Sequence, residues 1–253
     1  MLTEERYERI LKELEKNSIV NVSTLVDLLH TSESTIRRDL NYLHKMHKLN
    51  KVHGGATAIQ HSVETTDANL KTRETLNIDE KIAIAKKAAT FIKPHDFVYI
   101  DAGSTTYLMI DYIEEKDAIY LTNGINHANK LMNRGFHTYI LGGEIKPVTQ
   151  AIIGGEALRS LEKYHFSIGF FGTNGLCINE GFTTPELKEA LVKQTALQKT
   201  RDAYVLADHS KYNKVSCVTF GKIDEASVIL TKKQEAFIDL LKKETNVIEV
   251  EVE

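Results

Sequence analysis

Arg37 and Arg38 stand side by side within TSESTIRRDLNYLHKMHKLNKVHGGA (31–56), followed by Lys45, Lys48 and Lys51 and closed by a double glycine. Paired guanidiniums on a short helix suit nucleic acid, because one fork can contact guanine O6 and N7 together. At about 100° per residue, Ile36, Leu40 and Leu43 share one face of a helix beginning after Ser32. Ser34, Arg38, Asn41 and Lys45 fall on the opposite face, with Arg37 between the two. Ser34, Thr35 and Asn41 are short enough to reach phosphates or base edges. Asp39, at the edge of the apolar face, is expected to pair internally with an arginine. Such a charge run alone more often describes a solvated helix face, so the flanking elements must decide.

A second chemistry-bearing segment is Asp101-Ala102-Gly103-Ser104-Thr105-Thr106, directly after FVYI (97–100) and before a helical pattern. A small turn between strand and helix, with three hydroxyls and free backbone N–H groups, can cradle a phosphate. It is neither G-x-x-x-x-G-K-[ST] nor G-x-G-x-x-G, so nucleotide binding is not indicated. The same residues would also serve as a plain capped helix start. Other candidate strand ends add LTNG (121–124), LGGE (141–144), GTNG (172–175) and LADHSK (206–211). GFTTPE (181–186) precedes a helix, with Thr183 or Thr184 as cap and Pro185 at its first position.

The elements that would carry Arg37 and Arg38 are arranged in helix-turn-helix order. Thr3 can cap a first helix with the stripe Ile10, Leu11 and Leu14, and Ser23 a shorter second helix. His30 and Thr31 leave a tight turn before the helix that follows Ser32. Beyond Asn50, residues 51–53 and 56–59 flank Gly54-Gly55 as a hairpin, a wing bearing Lys51 and His53. Residues 1–32 carry more acids than bases and residues 33–60 the reverse. This order supports a winged helix entering DNA.

From Gln60 to Asn77 the chain is polar without an apolar period, the pattern of a linker. The domains expected are 1–59, a linker at 60–76, and 77–253. In the last, FVYI (97–100), AIYL (118–121), TYIL (138–141), IGFF (168–171), AYVL (203–206) and SVIL (227–230) read as buried strands. Helical patterns cover 78–92, 105–115, 125–133, 185–200 and 233–243. Alternation of this kind predicts a mostly parallel sheet, which binds ligands beyond the carboxyl ends of its strands.

At 253 residues and a net charge of −3, the chain offers no global polycation, so any DNA contact must be local. Cys177 and Cys217 suggest no disulfide framework, and no His/Cys cluster has zinc spacing, so neither metal nor cofactor is expected. The charged start MLTEERYERI does not read as a signal peptide, and no apolar run reaches the roughly 20 residues of a membrane span. A cytoplasmic location is expected.

TIRRDL (35–40) with HGGA (53–56) resembles the DNA-binding pattern of the DeoR family of bacterial transcription regulators. The later D-x-G-[ST]-T, TN, GG, G-x-N-G and D-x-S-K pieces, at 101–106, 122–123, 142–143, 172–175 and 208–211, resemble the same family's effector domain. The resemblance implies an α/β chain with an N-terminal winged helix-turn-helix and a larger effector domain like phosphosugar isomerases. It also implies operator DNA as partner, repression, a homodimer or homotetramer, and a phosphorylated sugar as inducer. Its phosphate would sit on Gly103, Ser104, Thr105 and Thr106 with Lys211 as charge partner. Asp101 and Asn174 would face the sugar hydroxyls, and Asn123, Gly143 and Asp208 complete the candidate surface. The wording of YHFSIGFFGTNG and GFTTPE is closest to Gram-positive fructose and lactose phosphotransferase-operon repressors, with fructose 1-phosphate the favoured inducer. Departures are His47 where the family commonly has glycine, Lys51 where it has arginine, and Ser167 where it often has aspartate. A competing reading makes the second domain an active phosphosugar isomerase, with Asp208, Glu189 or Asp101 as base and His209 or Lys193 assisting.

Overall fold

Ser32 begins the helix on which the DNA-reading expectation rests: its hydroxyl accepts from the Thr35 N–H at 3.3 Å. The structure, a computed structural model, describes residues 2–46, 48–58 and 75–252. His47, Ile59 and nearly all of the expected linker lie outside the described residues. The chain divides into two units, Met1–Ser62 with Gln234–Glu244, and Val63–Lys233 with Thr245–Glu253. The expected boundaries put 234–244 in the C-terminal domain. The structure groups it with the first unit.

In the first unit, α1 (Thr3–Asn17), α2 (Val22–Leu29) and α3 (Glu33–Lys45) enclose Ile10, Leu14, Leu25, Ile36, Leu40 and Leu43. Full burial of each such side chain is worth roughly 1.5–3 kcal/mol. Strands β1 (Ile19–Asn21), β2 (Asn50–Val52) and β3 (Gly55–Thr57) form an antiparallel sheet in the order β1-β3-β2. The wing is therefore a β2–β3 hairpin turning at His53-Gly54, where Gly54 has a φ of +82°. Gly55 lies inside β3, paired with Asn21 and Val52, and not in the turn; the strand needs glycine there because a Cβ would stand 2.2 Å from the Val20 carbonyl oxygen of β1.

Two cap expectations are corrected. Thr3 is already helical, behind Leu2 at the N-cap position. Pairing of Asn21 with Gly55 holds β1 extended up to Asn21, so α2 starts at Val22 and Ser23 falls inside its first turn.

The second unit is built on seven parallel strands: β4 (Phe97–Ile100), β5 (Ile119–Thr122), β6 (His137–Ile140), β9 (Phe166–Gly172), β12 (Thr200–Ala207), β14 (Ser227–Thr231) and β15 (Val247–Val250). Their order is β15-β14-β12-β9-β4-β5-β6. The chain runs outward from β4 through β5 to β6, then returns to the other side of β4 as β9. The topological switch point therefore lies between β4 and β9. Helix α4 (Ile78–Ala89) places Ile84 and Ala88 in a core with Val98, Ile100, Tyr120 and Phe170.

The expected helix at 105–115 is α5 (Ser104–Met109) followed by a 3-10 turn at Ile110–Tyr112. Helix α6 (Ile125–Asn133) matches its expected span, and α7 (Gly155–Leu161) lies outside the expected helical patterns. A hairpin, β7 (Glu144–Lys146) with β8 (Ala151–Ile153), follows β6.

GTNG and GFTT are not simple turn and cap. They run into β10 (Gly175–Cys177) and β11 (Gly181–Thr184), which join β13 (Val218–Gly221) in a small antiparallel sheet. Thr183 and Thr184 pair with Thr219 and Val218, so α8 (Leu187–Gln198) starts only behind Glu186, and Pro185 is not its first residue. A last helix, α9 (Glu235–Leu241), connects β14 to β15 in sequence.

Candidate DNA-reading face and effector pocket

Helix α3 presents Ser34, Arg37, Arg38, Asn41 and Lys45 to solvent, while Thr35 is half-buried and Ile36, Asp39, Leu40 and Leu43 are buried. Asp39 takes both forks of Arg6 from α1, with Nη2 to Oδ1 at 2.9 Å and Nε on Oδ2, the arginine partnership expected of it. The pairing raises the Arg6 pKa through the Asp39 hydrogen bond. The two exposed arginines differ. Arg37 is held by Glu33 one turn back, with Nε to Oε1 at 2.8 Å. Arg38 makes no hydrogen bond or ion pair among the described residues, so its fork is available to base edges. Ser34 and Thr35 hydroxyls both bond the Ser32 Oγ, at 3.0 and 2.8 Å, and so belong to the cap. On the wing, Lys51 is half-buried and His53 exposed.

In the second unit a pocket opens at the switch point, between Ala102–Thr105 after β4 and Gly172–Asn174 at the end of β9. Asp208 and Lys211, following β12, form another wall. Of the expected effector residues, Gly103, Ser104, Thr105, Asn174, Asp208 and Lys211 line this pocket. The Asp208 Oδ1 accepts from Asn77 Nδ2 at 2.8 Å and from the Ser210 N–H at 3.0 Å, and Thr184 Oγ1 donates to Asn174 Oδ1 at 3.2 Å.

Four expected residues are placed elsewhere. Asp101 is buried behind the loop, accepting from the Gly172 N–H at 3.0 Å and from Lys193 Nζ. Thr106 is fully buried: its Oγ1 donates to the Asp101 carbonyl at 2.5 Å and accepts from the Gly103 N–H at 3.0 Å. Asn123 braces the loop from the side, accepting from the Ala102 N–H at 2.9 Å. Gly143 sits between β6 and β7 and does not line the pocket.

Beneath the loop, His127 on α6 approaches the Gly103 carbonyl with Nε2 at 3.0 Å. A carbonyl only accepts, so Nε2 carries the proton. Burial pulls the His127 pKa down to about 4, keeping the ring neutral.

The pocket also contains residues that the sequence reading did not assign to it. Lys81 is buried in the first turn of α4, and Lys193 is buried on α8 (Leu187–Gln198) with Nζ also 3.0 Å from the Gly172 carbonyl. Glu189 accepts from Thr149 Oγ1 at 2.9 Å and from Lys146 at 3.1 Å. The competing isomerase reading gives Lys193 and Glu189 catalytic roles only. A signal existed for both lysines. Lys81 opposes the dipole of a helix start, and Lys193 and Glu189 are charges on a buried helix face they share with Ala190, Ala196 and Leu197. The departure Ser167 donates to Asp96 Oδ1 at 2.7 Å and accepts from the Phe97 N–H at 2.9 Å, tying β9 to the start of β4.

Comparison with known proteins agrees with both units. Residues 6–62 match the DeoR-like helix-turn-helix domain, and residues 76–233 match the DeoR C terminal sensor domain. The HTH-type transcriptional regulator FruR of Bacillus subtilis (strain 168), itself uncharacterized, is 40% identical over 97% of each chain. The lactose phosphotransferase system repressor of Staphylococcus aureus (strain NCTC 8325 / PS 47) is 31% identical over 97% of this chain and 98% of its own. Among solved structures, ribose 5 phosphate isomerase A from Neisseria gonorrhoeae aligns over 59% of this chain and 57% of its own. Its identity of 16% and TM-score of 0.41 are too low to argue from. Among the described residues no helix is long and apolar enough to cross a membrane. With a helix-turn-helix matched at one end and a sensor domain over most of the remainder, the chain belongs to the DeoR family of transcriptional regulators.

Proposed function

We propose that this chain represses a sugar-utilisation operon and releases its operator when a phosphorylated sugar, fructose 1-phosphate, fills the switch-point pocket. The observation that carries this reading is the pocket itself. It combines a hydroxyl-bearing loop at Ser104 and Thr105 with Lys81, Lys193 and Lys211, in a unit distinct from the one bearing Arg38. The first N–H groups of a helix have no intrahelical acceptor, which favours the phosphate on Gly103, Ser104 and Thr105 with Lys211 as its charge partner. Asp208 and Asn174 face the sugar hydroxyls. Asp101, Thr106 and Asn123 hold the loop from outside the cavity. The names of the relatives support sugar-operon repression, and the fructose choice rests on resemblance to FruR.

Each nearby carboxylate already holds donors: Asp101 from Lys193, Glu189 from Thr149 and Lys146, Asp208 from Asn77 and Ser210. This favours binding over the proton abstraction an isomerase needs. The chain acts as a homodimer or homotetramer, because one winged helix covers only one half-site. Thermal-shift measurements with fructose 1-phosphate, other hexose phosphates and inorganic phosphate test the reading, together with titration of operator DNA selected by the protein from a randomised duplex library. Fructose 1-phosphate is expected to raise the melting temperature and weaken DNA binding. No effect on either, or steady isomerisation of the sugar, overturns it.

A further inference from the structure

Glu80 lies beside the pocket residue Lys81 on α4 and is buried, yet its carboxylate faces none of the pocket. It collects donors from two other parts of the second unit. From the loop after β12 come the His209 backbone N–H, 3.1 Å from Oε2, and the His209 Nδ1, 2.6 Å from Oε1. From the end of β14 come the Thr231 hydroxyl, 2.6 Å from Oε2, and the Lys233 ammonium on Oε1. Burial alone would push this carboxyl up. The Lys233 and Thr231 hydrogen bonds, with those of His209, hold it down at about 2, so it is ionised.

The three segments meeting here lead to different places. The loop 208–211 forms a pocket wall through Asp208 and Lys211. Helix α4 is the first helix of the second unit among the described residues, and Asn77 at its N-cap binds Asp208 directly. Lys233 is the last residue of the second unit before Gln234–Glu244, which belongs to the unit carrying Arg38. The passage is tight. The Lys233 N–H closes on the Thr231 carbonyl at 2.8 Å, and Gln234 is left-handed with a φ of +57°.

We propose that Glu80 is a positioning residue that couples the effector loop to the covalent crossing from Lys233 to Gln234, one of three at which the chain passes between the units. The proposal rests on the reading of the pocket as the effector site. Charge-assisted hydrogen bonds are short and directional. When Asp208 and Lys211 adjust to a bound sugar phosphate, His209 between them moves, and the shared carboxylate must follow or release a donor. Either response alters how Thr231 and Lys233 are held at the start of 234–244.

The test uses the full chain, wild type, Glu80→Gln and Lys233→Ala, titrated onto operator DNA with and without saturating fructose 1-phosphate. Calorimetry gives fructose 1-phosphate affinity separately. Both variants are expected to bind the sugar within about threefold of wild type, while the ratio of operator affinities falls toward one by about fivefold or more. An unchanged ratio overturns the proposal, and a structural lesion alone would lower affinities without changing the ratio. If Glu80→Gln fails to fold, Thr231→Val with Lys233→Ala gives the same ratio measurement. If the wild type does not bind fructose 1-phosphate, the pocket reading falls instead. The junction is then judged by amide hydrogen exchange of the ligand-free chains. Faster exchange in 208–211 and 231–244 together supports it; acceleration in 208–211 alone, or in neither, overturns it.

Discussion

Arg37 and Arg38 are adjacent and equally cationic, but only Arg37 already has a local carboxylate, Glu33. An arginine that must leave a partner gains less from a new one, so the two should differ in kind. Arg38→Ala is expected to cost about 1–3 kcal/mol of operator affinity and to relax base preference, as for loss of a bidentate base contact. Arg37→Ala should weaken binding uniformly and flatten the salt dependence by about one phosphate contact. Titrations at several salt concentrations against matched and mutated operators separate these outcomes. Equal losses in both would refute the division. Asp39 belongs to stability: Asp39→Ala leaves Arg6 without its buried acceptor. It should lower unfolding free energy by about 1–3 kcal/mol, short of a fully enclosed pair because Arg6 keeps some solvent contact. Chemical denaturation measures it.

At the level of elements, two buried titratable groups govern how the second unit responds to acid. His127 on α6 supports the Gly103 turn and is held neutral by burial, its pKa near 4 against an ordinary 6.5. Between these values the unfolded chain binds a proton that the folded chain refuses, so stability is lost as pH falls from 6.5 toward 4. Glu80 ties α4 to the 208–211 loop and the end of β14, with a pKa near 2 against an ordinary 4.5. Its stabilisation is complete above 4.5 and is lost as pH falls toward 2. Melting temperatures across pH 2–8 should therefore decline in two stages. His127→Gln should flatten the upper stage and Glu80→Gln the lower. In the first unit, Ser32→Ala removes the side-chain cap bond from the Thr35 N–H and should cost roughly 0.5–2 kcal/mol.

For the whole molecule, the sensor and the reader are separate units on one chain, so effector and operator must act on each other through a coupling free energy. That coupling is reciprocal. A fructose 1-phosphate concentration about 100 times its dissociation constant should stabilise the protein by about 2.7 kcal/mol. Operator DNA should weaken sugar binding by the same factor by which sugar weakens operator binding. Lys211→Ala or Ser104→Ala should abolish the response to sugar and leave operator affinity intact. Calorimetry in the presence and absence of DNA checks the reciprocity, and a one-way effect would show that the sugar acts outside this linkage.

Short-range order was legible in the residues themselves. The period of Ile36, Leu40 and Leu43, the Ser32 cap and the apolar runs of the parallel strands specify α3 and most of the large sheet, because burial and backbone pairing act locally on them. Asp39 could be assigned to an arginine from its place on the wheel. Which arginine it meets, Arg6 on another helix, was decided by packing. Long-range pairing settled the rest. β1 is only three residues long and is defined by Gly55 and its neighbours; GFTT became a strand because Val218 and Thr219 lie beside it. Thr106 and Asn123 look like ligand residues in sequence but spend their hydrogen bonds on the protein, since burial demands partners for them. Lys81 and Lys193 reach the pocket from helices that in sequence showed only an ill-placed charge, and only the return of β9 beside β4 gathers them at one site.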